Sequence, residues 1–264
     1  MGKISIFELL LPFLLTSVVC LESKIEITVF LPGKKLDWTN ARLYCQSNYV
    51  DLITWDIVGT DQLSTWLKGQ SSFFWIGLHR DNETASVWKW INVKTGEGLS
   101  GDYVSQDSNW GDLKLTGDCG SFQPTTGKWN SKTCSAEFKF ICYDDNLVVV
   151  TENKTWEDAL NHCREMTTSS YQYDLLSVTS PLDYSYVRDK IYRATTDEVW
   201  TGLRFLAGEW WWMDGEEVDH NSSLPDCPTL WQHCGVFSKS GSNWITRDCS
   251  EKRNFICHRT KVQT

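Results

Sequence analysis

The same arrangement of tryptophans and cysteines occurs twice along this chain, and this repeat limits the possible folds more than any other feature. In each half a tryptophan precedes a cysteine by seven residues, and three later cysteines are separated by fifteen and eight residues. Each half also contains Trp-x-Gly-Leu and ends in Phe-Ile-Cys. The matched positions are Trp38, Cys45, residues 75–78, Cys119, Trp129, Cys134 and Cys142, then Trp156, Cys163, residues 200–203, Cys234, Trp244, Cys249 and Cys257. The agreement indicates one fold used twice, with a boundary at the polar residues 143–146.

The N-terminus is typical of a secretory signal. Lys3 supplies a positive start, and residues 9–20 are mostly apolar. The run is too short to cross a bilayer, which needs about 20 apolar residues. We therefore predict a signal peptide at residues 1–20 and a secreted, extracellular chain without a membrane span after signal removal. An uncleaved anchor is the alternative.

The composition agrees with an extracellular role. Ten cysteines suit an oxidising compartment, where disulfides persist. The net charge is −9 and no Lys/Arg cluster stands out, which argues against a nucleic-acid partner. Three N-x-S/T sequons predict surface glycans at Asn82, Asn153 and Asn221.

Local patterns predict an α+β fold in each half. Asp37 and Thr155 are suited to cap helices whose tryptophan, alanine and cysteine share one face. Second helices fit residues 61–68 and 181–192. Strands fit residues 73–78, 87–91 and 138–143, with counterparts at 199–203, 210–213 and 254–258.

Together with the Trp88-Lys89-Trp90 segment, these residues resemble the C-type-lectin-like domain. Tandem copies are similar to domains of the mannose receptor and secretory phospholipase A2 receptor group. The resemblance implies two tandem domains, at residues 25–143 and 147–259, each with two helices, antiparallel strands, long loops and two disulfides. It also implies the pairings Cys45–Cys142, Cys119–Cys134, Cys163–Cys257 and Cys234–Cys249. Each long bridge would stabilise its domain by about 4 kcal/mol on the chain-entropy model.

The resemblance also says where a sugar-binding calcium ion would lie. Sugar-binding members hold it with a proline-containing acid/amide motif, a glutamate before a cysteine, and Trp-Asn-Asp, because calcium needs six to eight oxygens. In the first half, Gly117 and Ser131 replace the glutamate and aspartate, and only Asn130 remains. The corresponding residues of the second half are Gln232, Ile245 and Thr246. We therefore predict no conventional calcium site, no other metal and no cofactor.

Other residues remain candidates for ligand binding. An acidic loop could build a different ion site, although solvated surface acids are more common; it contains Glu97, Asp102, Asp107, Asp112 and Asp118. Strand alternation places Trp211 on the face opposite Trp210 and Trp212, either under a loop or as an exposed anchor. Trp231 has the same ambiguity. The candidate ligand-binding residues are Asp112, Asp118, Asn130, Trp211 and Trp231.

Cys227 is left over once the eight other cysteines are paired and Cys20 is removed with the signal. A remaining thiol in a secreted protein predicts a disulfide-linked dimer or a reactive thiol. The alternative is earlier cleavage, with Cys20 paired to Cys227.

These observations favour a secreted, non-catalytic recognition protein. Neither Gly-x-Ser-x-Gly nor His-Glu-x-x-His occurs, so we do not expect an enzyme. The expected ligand is a protein or glycan, bound through loops and without calcium. The alternatives are a calcium-dependent carbohydrate-binding lectin with a non-standard site in the first domain, and an inhibitor or toxin-neutralising protein.

Overall fold

A computed structural model describes residues 24–81, 87–104, 109–111, 117–216, 218, 224, 227–240 and 244–262. They form two α+β modules, one after the other. The first module, called domain 1, consists of β1 (Ile27–Phe30), α1 (Trp38–Asn48), β2 (Asp51–Leu52), α2 (Thr60–Trp66), β3 (Phe74–Arg80), β4 (Trp88–Ile91), β5 (Leu99–Val104), β6 (Cys119–Gln123), β7 (Lys128–Lys132), β8 (Lys139–Phe140) and β9 (Cys142–Asp145).

The second module, called domain 2, has a similar order, but among the described residues it has no counterpart of β5 and a single last strand in place of β8 and β9. It consists of β10 (Leu147–Lys154), α3 (Trp156–Glu165), β11 (Tyr171–Leu175), α4 (Tyr184–Lys190), β12 (Glu198–Leu206), β13 (Glu209–Trp212), β14 (Cys234–Ser238), β15 (Trp244–Arg247) and β16 (Arg253–Lys261). Short 3-10 turns at Pro181–Asp183 and Ile191–Arg193 flank α4. The predicted helix at 181–192 is therefore three short pieces.

The first helix of each domain begins where the sequence predicts. The Asp37 side chain accepts a hydrogen bond from the Asn40 amide, and Thr155 does the same for Asp158. Each helix buries a tryptophan, an alanine and a cysteine at positions i, i+3 and i+7, which is the spacing of one helical face. The predicted helix starts and faces are thus confirmed.

Buried indole groups tie these helices to the sheets in the same way in both domains. Trp38 Nε1 donates to the Ile76 carbonyl at 2.9 Å, and Trp156 Nε1 donates to the Thr201 carbonyl at 2.8 Å. A buried indole N–H needs such a partner. Helix and central strand are therefore held in the same relative position in both copies.

The sheets differ between the domains. Domain 1 has a three-stranded sheet, β1-β9-β2, and a separate sheet, β5-β4-β3-β6-β7, to which β8 adds in parallel beside β3. Domain 2 combines the corresponding strands into one seven-stranded sheet in which β16 pairs with β10, β11 and β12.

The predicted strand at 138–143 is consequently interrupted. The backbone of Ile141 bonds to Trp75 and Ile53 outside the strand ladders, so β8 ends at Phe140 and β9 begins at Cys142 in another sheet. In domain 2 the corresponding segment is uninterrupted and forms the nine-residue strand β16.

Each domain contains two disulfides, as the predicted fold class requires. They are Cys45–Cys142 and Cys119–Cys134 in domain 1, and Cys163–Cys257 and Cys234–Cys249 in domain 2. These are the pairings that the resemblance implies. The long bridges join the first helix of each domain to its last strand. The short bridges join the start of β6 or β14 to the segment that follows β7 or β15.

Within the described ranges, no helix combines the length and the apolar character that crossing a bilayer demands.

Candidate functional site

A tryptophan cluster lies beside the long loop of domain 1. Trp129 on β7 is buried and contacts three other indoles edge-on, with ring centroids 5.4 Å from Trp55, 5.3 Å from Trp90 and 6.1 Å from Trp110. Trp110 also packs on Trp88 at 4.8 Å. We call these five residues the tryptophan cluster.

The cluster is buried at its centre and open at its edge. Trp88 and Trp129 are within the core, Trp90 and Trp110 are half-buried, and Trp55 is 39% exposed. Trp110 is held there because Gly111 N donates to the Trp129 carbonyl at 2.7 Å and Trp129 N donates to the Asn109 carbonyl at 2.9 Å. The edge offers a broad, rigid aromatic surface next to a loop.

Gly117 of domain 1 occupies the position at which sugar-binding members carry a calcium-binding glutamate, and there is no room for a side chain there. A β-carbon on Gly117 would overlap the backbone of Lys132 and Thr133, which belongs to β7 and its end. Because backbone atoms anchored in a sheet cannot swing aside, glutamate is excluded here by packing as well as by sequence.

The remaining candidate ligand, Asn130, is directed inward. Its side chain is almost fully buried, its Nδ2 donates to the Lys128 carbonyl at 3.2 Å, and its Oδ1 packs against Gly111. Ser131 beside it is also buried. An amide that is occupied within its own strand is poorly placed to coordinate a surface cation.

Domain 2 has an aromatic cluster at the corresponding place, but it is closed. Trp244 packs on Trp212, Phe237 and Tyr184 with centroids between 5.0 and 5.8 Å apart. Trp212, Phe237 and Trp244 are all buried. This cluster serves as core, and the exposed aromatics of domain 2 lie elsewhere.

Those exposed groups include the two tryptophans singled out from the sequence. Trp211 is 39% exposed and pairs across the hairpin with Arg204, whereas Trp212 is buried, as alternation predicts. Trp231 is 72% exposed and follows Leu230, which is 82% exposed.

The acidic residues of domain 1 do not converge in the described part of the chain. Asp118 forms an ion pair with Arg80 at 3.2 Å, and Glu97 lines a cleft that faces domain 2. Asp102 lies on β5, and its side chain is outside the described set. Asp107 and Asp112 are outside the described residues.

One group of potential metal ligands is close together in the described residues. It comprises His79, Cys119 and Cys134. The two sulfurs form a disulfide with each other, so no thiolate is available to a metal there.

The remaining predicted sites are on the surface or outside the described residues. Asn153 is exposed on β10, and Asn82 and Asn221 lie outside the described ranges. Cys227 is exposed and unpaired within the part of the chain that the structure covers. Cys20 is outside it.

Sequence reasoning missed Trp55 and Trp110 as surface candidates. Trp55 lies three residues after the end of β2 and Trp110 follows a Ser-Asn pair, so neither is part of an alternating strand pattern. The sequence feature that points to them is the high tryptophan content, fifteen in the whole chain.

The chain belongs to the family of the Lectin C-type domain, whose sequence profile matches residues 34–144 and 152–259. Two tandem copies of this domain therefore make up most of the chain.

Relatives with this tandem arrangement include human Lymphocyte antigen 75, which is 25% identical over 266 residues, and human C-type mannose receptor 2, which is 23% identical over 263 residues. The matches cover 85% and 84% of this chain but only 14% and 17% of those proteins. A crystal structure of the C-type lectin CEL-I from Cucumaria echinata is 22% identical with a TM-score of 0.39, and the match covers 43% of this chain and 89% of that one.

Proposed function

We propose that this chain is a secreted, non-catalytic recognition protein that binds an extracellular protein or glycan through its loops and without calcium, with an aromatic contact surface in domain 1. Its signal peptide would be residues 1–20, and its domains residues 25–143 and 147–259. Tandem lectin-type domains in the receptor relatives support recognition as the general role.

The lack of space at Gly117 carries the calcium-independent part of the proposal. Calcium binding in this family depends on several side-chain oxygens around one point, and a cation of this type prefers six to eight of them. Domain 1 cannot place a glutamate at 117 without moving β7, and Asn130 is turned into its own strand. In domain 2, Ile245 has no oxygen in its side chain and Thr246 offers only a hydroxyl.

The tryptophan cluster supports an aromatic contact surface in domain 1. Trp55, Trp90 and Trp110 present ring area at the edge of the cluster, while the buried Trp129 holds them in fixed positions. Preorganised indoles contribute contact area at little entropic cost, which is why tryptophan is frequent among binding hot spots.

Binding of the intact glycosylated chain to a glycan array and to a panel of extracellular proteins tests this proposal. Each would be run with calcium and with excess chelator. We expect a ligand whose binding persists in chelator. The Trp55→Ala variant should weaken that binding about 30-fold, which corresponds to about 2 kcal/mol for a hot-spot aromatic.

Trp66→Ala is the matched control, because Trp66 is 51% exposed on domain 1 but is not part of the tryptophan cluster. It should bind like the wild type. Binding that disappears with chelator and is competed by free sugar would instead identify a calcium-dependent lectin. Equal losses in Trp55→Ala and Trp66→Ala would remove the cluster from the contact surface.

Dimerisation through Cys227 is part of the same proposal. The exposed thiol has no disulfide partner in the described residues. We expect a dimer on non-reducing electrophoresis that Cys227→Ser abolishes. A monomer carrying one alkylatable thiol would contradict it, and a monomer without a free thiol would point to pairing with Cys20.

A further inference from the structure

A polar cleft separates the two domains on one side of the junction. Its volume is about 470 Å3, which falls in the range of roughly 300–1,000 Å3 typical of small-molecule sites. Domain 1 contributes Gln46, Tyr49, Thr95 and Glu97, and domain 2 contributes Lys190 and Arg193. Neither domain could form this cleft alone.

The wall from domain 1 is held in place from both sides. On the domain 1 side, Gln46 Nε2 donates to the Gly96 carbonyl at 2.7 Å, in the turn between β4 and β5. On the domain 2 side, the Arg193 guanidinium donates to the carbonyls of Val93 and Lys94, each at 2.8 Å.

Gly96 allows this close approach. A β-carbon there would lie 2.5 Å from Arg193 Nη2, and its φ of +75° is strained for any other residue. Lys94 adds an ion pair to Asp189 of α4 at 2.8 Å. The turn therefore keeps its position relative to domain 2.

The wall from domain 2 is anchored at the boundary residue Asp145. Its carboxylate is fully buried and accepts hydrogen bonds from Lys190 Nζ at 2.6 Å, Tyr186 Oη at 2.7 Å and the Leu147 amide at 2.8 Å. Three donors from two elements, α4 and β10, thus meet at one carboxylate. The cleft is preformed, so a ligand would not need to order its walls.

The charges around the cleft are balanced. The lining contains two carboxylates, of Glu97 and Asp144, and two cations, of Lys190 and Arg193. Lys190 is already paired with Asp145, and Asp144 with Arg259 at 2.6 Å. Such a site has no excess charge with which to attract an anion such as a sulfate or an acidic sugar.

The hydrogen-bonding groups in the lining are both donors and acceptors. The Gln46 Nε2 atom is already bonded to Gly96 and Asp51, and the Thr95 hydroxyl to the Glu97 backbone. The Tyr49 hydroxyl, the Glu97 carboxylate and the Gln46 Oε1 atom therefore remain to meet the hydroxyls of a polyol, which donate and accept in turn. One aromatic ring is present, that of Tyr49, which is stacked on Phe30 at 4.4 Å. A ring in a fixed position can receive the apolar face of a pyranose.

We infer that the cleft between the domains is a calcium-independent binding site for a neutral saccharide unit. It is separate from the tryptophan cluster and does not depend on it. Because the cleft is open and mostly polar, the affinity for a single unit is weak, with a Kd on the order of 1 mM.

Amide and indole chemical-shift mapping on the isotope-labelled full chain, in chelator, tests this inference. The probes are methyl α-mannoside, methyl β-galactoside, methyl β-N-acetylglucosaminide and, as the charged comparison, N-acetylneuraminic acid. At least one neutral glycoside should shift the amides of Thr95, Gly96 and Glu97. The indole signals of Trp55, Trp90 and Trp110 should remain in place.

Glu97→Gln should weaken that binding about tenfold, because it removes a charged acceptor while keeping the shape. Arg193→Met should abolish it by releasing the turn from domain 2. Glu209→Gln, an exposed acid on β13, is the matched control and should leave the Kd unchanged. If Glu97→Gln does not fold, Tyr49→Phe takes its place.

The inference is overturned if no neutral glycoside shifts the cleft amides, if N-acetylneuraminic acid alone does so, or if both cleft variants bind like the wild type. Shifts confined to the indole signals would overturn it too, while supporting the loop-side surface. Shifts confined to the cleft support this inference even if the tryptophan variants show no binding defect.

Discussion

Asn254 donates a hydrogen bond of 2.7 Å from its side-chain amide to the side-chain oxygen of Asn153. The contact joins the start of β16 to the end of β10 in domain 2. Asn254 is fully buried, and its oxygen accepts from Thr195 N at 2.6 Å and Thr195 Oγ1 at 3.0 Å, while its nitrogen also donates to the Thr151 carbonyl at 3.0 Å. One side-chain amide thus forms hydrogen bonds with backbone groups of two neighbouring segments, at Thr151 and at Thr195.

Replacing Asn254 with alanine should destabilise domain 2 by about 1–3 kcal/mol, since it removes several hydrogen bonds of a fully buried amide. Denaturant unfolding followed by tryptophan fluorescence would measure this. Asn48→Ala is the control, because Asn48 is exposed and bonds only within its own helix, to Tyr44. Equal effects of the two variants would show that the Asn254 contacts carry little energy.

Asn153 should be glycosylated when the chain is made in a secretory pathway. It is exposed, its sequon is completed by Thr155, and the contact with Asn254 uses its oxygen, so the Nδ2 atom that carries a glycan is not consumed. Asn153→Gln should lose one glycosidase-sensitive mobility shift.

Thr155→Ser is the informative control, because serine preserves both the sequon and the cap of α3. It should retain the glycan and the stability of the wild type. An Asn153→Gln protein with unchanged mobility, alongside a wild type without glycan at this position, would refute the assignment.

Gly117→Ala should destabilise domain 1 by about 1–3 kcal/mol, because the added methyl meets backbone that cannot move aside. The double variant Gly117→Glu/Ser131→Asp, which restores two calcium ligands by sequence, should not gain thermal stability from calcium. Melting curves in calcium and in chelator measure both effects.

Gly33→Ala is the matched control, since nothing lies within 4 Å of a β-carbon there. Its stability should equal or slightly exceed that of the wild type. A calcium-dependent rise in Tm of the double variant would show that β7 can move, and the packing argument would fail.

Features that depend on short spacings were predictable from the sequence. The caps at Asp37 and Thr155 and the alternation of Trp210, Trp211 and Trp212 depend on residues within one turn or one strand. Two copies of one fold were predictable because the tryptophan and cysteine positions repeat, and the kind of fold followed from the resemblance to the C-type-lectin-like domain.

Features that depend on contacts between distant segments were not predictable. The break at Ile141 arises because its backbone bonds to Trp75 and Ile53, about 66 and 88 residues away along the chain. The cleft exists because Arg193 meets Gly96, and neither residue belongs to a recognisable motif. The exposure of Trp55 likewise depends on how Trp129 packs rather than on its own neighbours.

His258 makes the stability of domain 2 dependent on pH. It lies on β16, is 95% buried, and its Nδ1 has no hydrogen-bond partner in the described structure. Burial lowers the pKa of His258 below its usual 6.5, against the opposing effect of the nearby Asp214 carboxylate; Lys24 lowers it further and Asp174 raises it. The folded state thus resists a proton that the unfolded chain accepts.

The unfolded chain binds more protons than the folded one between the two pKa values, so the His258 contribution is fully present above pH 6.5 and is lost as the pH falls below it. Burial acts to raise the pKa of the Asp214 carboxyl, but hydrogen bonding and the charge of Lys24 bring it below its usual 3.8, so this group adds a loss of stability in a different window, below pH 3.8. We expect the domain 2 Tm of the wild type to fall between pH 7 and pH 5, and that of His258→Gln to change much less. His162→Gln, which leaves His258 intact, should keep the wild-type slope. Parallel slopes for the wild type and His258→Gln would assign the pH dependence to other groups.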